Sequence, residues 1–477
     1  MKGLELFIVV GYAALMIIIG LYYRKKAAKS SSSFWSAEAS VPIVVNAFCL
    51  FATVMSGGGM MGNIGLAAAT GIVFILSANL GSGCGLGMGA MLVARPLRKS
   101  GAKTVSEFIQ MRYESNVIGI AVPVVIMITY TIYLVAQMKA AGTVGEYLLG
   151  VPYTYALIAT WTVFTIYVMT GGMFAVTWTD FFQGCLMFLV TIVAAVATLT
   201  AVGGWSELIG SATEIMPTFG TLYMPLSAYA GFFFLWVFVG LCSPHILMRV
   251  GTTKSPFAAT ISLHGGMIII TLFSILSSMV LGAGARVFMG VEQITNNDAA
   301  FLFLIDNIFG PIWRGLTGAA IYAAVMSTAA GLLLAAAAAL SNDIISKRKP
   351  NWTDRQHSKF GGVACLIISF IVLLLSFNPP EFLTLLYSQA MAFMVSALMV
   401  PMMAGLWWKR ATSLGAILAL LSGAISYAIL FFGMDLPSFS EIFFSLPISI
   451  IFMIIGSYAS IQPTDEVIAR VAGWHEE

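Results

Sequence analysis

The stretch Ala52-Thr53-Val54-Met55-Ser56-Gly57-Gly58-Gly59-Met60-Met61-Gly62 sits in the middle of an apolar run from 42 to 70. A run of that length can cross the hydrocarbon layer, which takes about 20 residues. Three successive glycines at its centre each weaken a helix by roughly 1 kcal/mol relative to alanine. The helix is therefore expected to open there. Unwound backbone at membrane depth persists only where it is buried in protein or lines a cavity, and its released carbonyls can coordinate a cation. The competing reading is a small-residue face for close helix packing.

The rest of the chain agrees with a membrane setting. Of its 477 residues, 59% are hydrophobic and 9% charged, against about a quarter charged in soluble chains, so a soluble fold is excluded. The net charge of +3 leaves no electrostatic footprint for nucleic acid. The partner to expect from composition is the lipid bilayer. Cys49, Cys84, Cys185, Cys242 and Cys365 stand singly in apolar stretches, without metal or disulfide spacing, and read as small core residues.

Thirteen apolar runs are long enough to span: 4–23, 42–70, 72–96, 116–139, 152–170, 178–203, 226–248, 258–284, 308–341, 358–377, 382–406, 412–433 and 441–461. The first lacks a small-residue cleavage site and ends in Tyr22-Tyr23-Arg24-Lys25-Lys26, so it is expected to be retained. With the amino terminus outside and thirteen crossings, nineteen of the 23 basic residues fall inside, leaving Lys2, Lys139, Arg286 and Arg314 on the outer face. That asymmetry obeys the positive-inside rule. It predicts a multi-pass protein of the plasma (inner) membrane with a cytoplasmic carboxy terminus. The longest connections, 24–41, 97–115, 204–225 and 285–307, are expected to be loops.

The fold class expected is all-α and polytopic. Residues 1–41 hold an extra amino-terminal helix and a cytoplasmic loop, 42–204 a first five-helix repeat, 226–408 a second, and 411–477 two further helices with a short tail. Five is odd, so the two repeats lie inverted, as in many secondary transporters. The first helix of the second repeat carries Gly240-Leu241-Cys242-Ser243-Pro244-His245, where proline disrupts the hydrogen-bond ladder. Breaks in both halves point to a central site. Ser327 and Thr328, midway along 308–341, can complete an oxygen cage for sodium or bond back to carbonyls one turn earlier.

Gly171-Gly172-Met173-Phe174-Ala175-Val176-Thr177-Trp178-Thr179-Asp180-Phe181-Phe182-Gln183 resembles the hallmark of the sodium/solute symporter family. Gly405-Leu406-Trp407-Trp408-Lys409-Arg410, followed by Gly415-Ala416, resembles its second signature, and Ala323 to Thr328 and Pro244-His245 are similar to further family segments. The resemblance implies the leucine-transporter fold, sodium as coupling ion, no cofactor and no enzymatic activity. It places the shared sodium site on the backbone carbonyls of Ala52, Met55 and Ala324 and the hydroxyls of Ser327 and Thr328. Where some members hold a further sodium on hydroxyls, this chain has Ala330 and Gly331, which implies one sodium per cycle. Asp180 either serves coupling or pairs with a base or caps a helix.

The solute is expected beside the break, against Ser56, Gly57 and Gly59, with Asn79, Gln137 and Gln389 from neighbouring spans. Tyr133, Trp236 and Phe233 read as core or lipid-facing, and His245 and His264 as structural. One sodium suits a neutral or zwitterionic solute. The Gly/Ser-rich break and the lack of sugar-binding carboxylates suit a small carboxylate, a pantothenate-like acid or an amino acid such as proline. The alternatives are a proton-coupled carrier, a channel, for which no repeated filter segment is present, and a transporter-derived sensor, for which about fifteen residues after the last span leave little room.

Overall fold

The structure is a computed structural model that describes residues 3–290, 299–349, 351–378 and 383–476, with backbone alone for 383–385. Lys2, part of the expected 285–307 loop and the first residue of the 382–406 span lie outside these. Among the described residues there is no strand, and the one isolated bridge joins Val41 to Thr253.

The chain begins with α1 (Gly3–Ala27). The broken span follows as α2 (Ile43–Val54), a wide turn Gly58–Gly62 and α3 (Asn63–Thr70), its two arms bent by 70°. Next come α4 (Ile72–Leu92), α5 (Val105–Tyr113), α6 (Ile118–Val144) and α7 (Tyr153–Val202). The second half holds α8 (Leu226–Cys242), α9 (Pro244–Gly251), α10 (Pro256–Ser274), α11 (Pro311–Ala338), α12 (Asp354–Leu375) and α13 (Leu383–Trp407). The chain ends with α14 (Ser413–Gly433), α15 (Ile442–Ala459) and α16 (Asp465–Gly473).

Among the described residues, eleven helices are long and apolar enough to cross a membrane, or twelve with the bent pair as one span, against the thirteen expected. The count turns on α7. Its 50 residues correspond to roughly 75 Å of helix, more than twice the hydrocarbon thickness. Gly172 inside it leaves helical geometry at φ 50 and ψ −147. The element is thus long enough for both of the spans expected at 152–170 and 178–203. The polar connections are not simple loops, since 31–36, 105–113, 205–215 and 300–308 are helical.

Both expected breaks are present, the first just ahead of the glycines, since Gly57 keeps helical angles and Gly58–Gly62 form the wide turn. Met55 ends α2 at ψ 92, and Ser243 separates α8 from α9 at ψ 120. Glycines on α4 let it close on α8: a Cβ at Gly85 would lie 2.6 Å from the Trp236 carbonyl oxygen, and one at Gly89 2.8 Å from that of Gly240. Gly81 meets Phe233 in the same way. This i, i+4 stripe brings two backbones together where hydrophobic force between helices is weak. α11 runs through the centre, buried almost throughout from Gly315 to Ala338, against α6, α7 and α1. Cys49, Cys242 and Cys365 are core residues as expected, whereas Cys185 is only partly buried and Cys84 is exposed, on the face of α4 that it shares with Leu80, Met88 and Met91.

Gly85→Val is expected to cost roughly 1–3 kcal/mol by overpacking the α4–α8 contact. Thermal unfolding in detergent checks this, with Gly433→Ala, where a Cβ meets nothing within 4 Å, as the near-neutral control.

Candidate functional site

A helix leaves its last carbonyls without intrahelical donors, and the end of α2 shows where these go. The Gly57 N–H, which would close a turn onto Thr53, donates instead to Gln137 Oε1 at 3.0 Å. The Ala52 carbonyl accepts the Ser327 hydroxyl at 2.8 Å and the Thr328 hydroxyl at 3.5 Å, and the Thr53 carbonyl accepts the Thr328 hydroxyl at 3.1 Å. Ser327 Oγ also lies 3.2 Å from the Ala324 carbonyl oxygen. The break and the central helix therefore meet through oxygens. Ala52, Ala324, Ser327 and Thr328 are brought together, and Met55 sits at the break itself, its N–H bonded to Phe51 O at 2.8 Å. These oxygens suit a small hard cation such as sodium, which takes neutral carbonyls and hydroxyls.

Beside the break lies a small closed cavity of about 20 Å³, lined by Val54, Met55, Ser56, Gly59, Asn63, Ala78, Asn79, Ser82, Phe232, Trp236 and Tyr387. That is room for about one water, so admitting a solute requires its walls to part. One wall is polar. Tyr387 Oη donates to Asn63 Oδ1 at 3.4 Å, Asn63 Nδ2 to Asn79 Oδ1 at 3.1 Å, and Asn79 Nδ2 to Ser278 Oγ at 2.6 Å. The other is aromatic: Tyr387 stacks on Tyr133 with centroids 5.1 Å apart and meets Trp236 at 5.9 Å. Ser56 Oγ accepts the Gly59 N–H at 2.9 Å. Gln137 Nε2 is buried without a partner. A larger hollow of about 630 Å³, lined by residues such as Phe234, Met403 and Trp408, offers hardly any polar group and lies outside this constellation.

Of the expected solute residues, Ser56, Gly57, Gly59, Asn79 and Gln137 gather at the break, and Gln389 does not. Its Oε1 accepts the Tyr427 hydroxyl of α14, because two positions along a helix turn it about 200° away from Tyr387. Trp236, read as core or lipid-facing, is a cavity wall. Asn63, Ser82, Phe232 and Tyr387 were not picked out. Asn63 and Ser82 are polar residues in apolar spans, a signal equal to that of Asn79, whereas nothing local separates Tyr387 from other aromatic residues. His245 is structural as expected: its Nδ1 lies 2.8 Å from the Tyr130 hydroxyl, which also accepts its backbone N–H at 3.1 Å.

Asp180 pairs with a base, and the base is Arg249. The charge asymmetry puts Arg249 in an inner loop, but both side chains are buried, because α9 packs against α2 and α11. Arg249 Nη1 donates to Thr177 Oγ1 at 3.2 Å and Nη2 to Thr53 Oγ1 at 3.4 Å, while Thr53 Oγ1 lies 3.3 Å from Asp180 Oδ2. Thr53 thus gives its carbonyl to the oxygen cluster and its hydroxyl to the ion pair. Gly331, opposite, would place a Cβ 3.2 Å from the Thr53 methyl.

Membrane-spanning helices, a span broken at depth and oxygens converging on the break define a multi-pass secondary transporter. The Sodium:solute symporter family matches residues 34–423, and the chain belongs to that family. It is 29% identical over 442 residues to the osmoregulated proline transporter OpuE of Bacillus subtilis, covering 90% of this chain and 89% of that protein. It is 26% identical over 433 residues to a sodium/proline symporter of Staphylococcus aureus, covering 87% and 83%. A substrate-bound, outward-open Na+-coupled sialic acid symporter superposes with a TM-score of 0.83 at 18% identity, over 97% of this chain and 100% of that one. The fold is thus of the leucine-transporter type, and the protein is a transporter, not an enzyme.

Arg249→Met leaves the Asp180 charge uncompensated in the interior and is expected to cost about 3–5 kcal/mol. Asp180→Asn combined with Arg249→Met is expected to recover most of that loss in detergent unfolding. Additive losses would show that the two side chains act separately.

Proposed function

We propose that this chain is a sodium-coupled symporter that carries a small zwitterionic solute, an amino acid such as proline, into the cell through the plasma membrane by alternating access. The observation that carries this reading is the meeting of the broken end of α2 with the hydroxyls of Ser327 and Thr328. Sodium binds the carbonyls of Ala52, Met55 and Ala324 with those two hydroxyls, whose protons rotate away to expose oxygen lone pairs. The ion thereby ties α2 to α11 and stabilises one arrangement of the break. The solute then binds beside it, its carboxylate displacing Gln137 Oε1 and Ser56 Oγ from the N–H groups of Gly57 and Gly59 and its apolar part against Trp236 and Tyr387, with Asn79 and the Nε2 of Gln137 as further contacts. The repeats are 42–204 and 226–408, and the amino terminus faces outward, as the basic-residue asymmetry implies. Proline enters through the names of the relatives and through fit: a compact ring suits an aromatic wall, and the lining has no carboxylate for a sugar.

The energetics favour a zwitterion. A tenfold sodium gradient is worth about 1.4 kcal/mol, and one charge moving through 100 mV adds about 2.3 kcal/mol. Their sum sustains roughly a 500-fold gradient of a solute without net charge. For a monoanion the voltage term cancels and only about tenfold remains.

Two experiments test the reading. Thermal unfolding of the purified protein in sodium and in potassium, against L-proline, other amino acids, small carboxylates, pantothenate and sugars, is expected to show stabilisation by L-proline only with sodium, since ligands raise the melting temperature by mass action. Stabilisation in potassium at low pH instead would support proton coupling. Ser327→Ala with Thr328→Ala is expected to weaken sodium affinity by about tenfold or more, the loss of two ligands at roughly 1 kcal/mol each. Unchanged affinity removes these hydroxyls from the site, and a measured ratio of two sodium ions per solute contradicts the reading of Ala330 and Gly331.

A further inference from the structure

The connection between α14 and α15 carries a feature the transport cycle leaves without a role. Phe439 adopts φ 67, a left-handed conformation that bulky residues rarely take and that clusters at clamps and switches. The residue is fully buried although it lies in a connection between spans. Its ring stacks on Phe232 with centroids 4.5 Å apart and planes within 10°. Phe232 in turn stacks on Phe74 of α4 at 4.9 Å and lines the central cavity. The backbones also touch: a Cβ at Gly231 would lie 2.7 Å from the Phe439 carbonyl oxygen, so glycine is what lets α8 come this close.

The connection is held in that shape from its own side. The Glu441 carbonyl accepts the backbone N–H groups of Phe444 at 3.2 Å and Ser445 at 3.0 Å, starting α15 directly after Phe439. Ser440 closes the preceding turn, its N–H and hydroxyl both donating to the Pro437 carbonyl, at 3.0 and 2.6 Å. α14 and α15 pack on each other and on α13, while α8 packs on α4. Phe439 is therefore where the α14–α15 hairpin reaches across to the helix pair that roofs the cavity. Phe232 lies one turn closer to the start of α8 than Trp236, on the side that the orientation above makes external.

We infer that Phe439 is a positioning residue for transport: a wedge that presses Phe232 over the cavity, so that opening to the outside requires the α14–α15 connection to withdraw from α8. The inference rests on the central-cavity reading of the solute site. Phe439 touches neither solute nor ion and acts through Phe232, so its removal shifts the balance between closed and outward-open arrangements and leaves the sodium ligands in place.

The test reports cavity access directly and needs no identified solute. Ser82, a cavity residue, is changed to cysteine in the full chain. The rate of its modification by a membrane-impermeant methanethiosulfonate added from outside, in sodium, is then measured, with the chain lacking Ser82→Cys giving the background from native thiols. Phe439→Ala is expected to speed labelling by about three- to tenfold, the population shift that loss of one aromatic pair supports. Phe439→Tyr, which keeps the ring, is expected to label like the parent at an unchanged melting temperature. An unchanged rate in Phe439→Ala overturns the inference, as does equal acceleration in Phe439→Tyr. If Phe439→Ala does not fold, Gly231→Ala displaces the same contact, and an unaltered rate there is equally decisive. Protection of Ser82→Cys by L-proline in the parent tests the solute site separately: no protection counts against that reading while the labelling comparison still decides the wedge.

Discussion

Inside a bilayer no water waits to satisfy a backbone carbonyl, so wherever a spanning helix breaks, the protein must supply the missing partners itself. The end of α2 is such a place, and the hydroxyls of Ser327 and Thr328 on the Ala52 and Thr53 carbonyls are the answer. Much of the architecture follows from this contact. For α11 to bring two short side chains to another helix's backbone, the surrounding positions must be small, and Ala323, Ala324, Ala329, Ala330 and Gly331 are. A hydroxyl that caps a carbonyl is also an oxygen that can turn to a cation, so in the proposed cycle the contact that repairs the break is the one a sodium ion would replace.

The buried pair of Asp180 and Arg249 stands one residue's width away. Taking two charges out of water costs several kcal/mol each, and such pairs are weak evidence of stability. What this pair does is join three elements: α7 through Asp180 and Thr177, α9 through Arg249, and α2 through the Thr53 hydroxyl. α9 exists as a separate helix because the chain breaks at Ser243, so the second break places the cation that the first half of the molecule holds. The two breaks are thus connected through Thr53, whose carbonyl belongs to the oxygen cluster.

The closed cavity shows a different economy. Its polar wall is a chain of amides and hydroxyls from Tyr387 through Asn63 and Asn79 to Ser278, each satisfied by the next. On its aromatic side Tyr387 stacks on Tyr133 and meets Trp236 edge-on.

Composition and the length of apolar runs were enough to establish a membrane protein of many spans, because both are set by the thickness of hydrocarbon and by the cost of unpaired backbone. The glycines at 57–59 and Pro244 pointed to both breaks, which fall just ahead of them at Met55–Ser56 and Ser243, since such residues act on the chain locally. The motif from Gly171 to Gln183 identified the family. Partner choice was beyond the sequence. Which basic residue meets Asp180, that Gln389 faces Tyr427 while Tyr387 faces the cavity, that Phe439 reaches Phe232, and that Asn63 and Asn79 form one chain are matters of distance between residues far apart along the polymer. Helical periodicity says which residues share a face, but only the packing of one helix on another decides what that face meets.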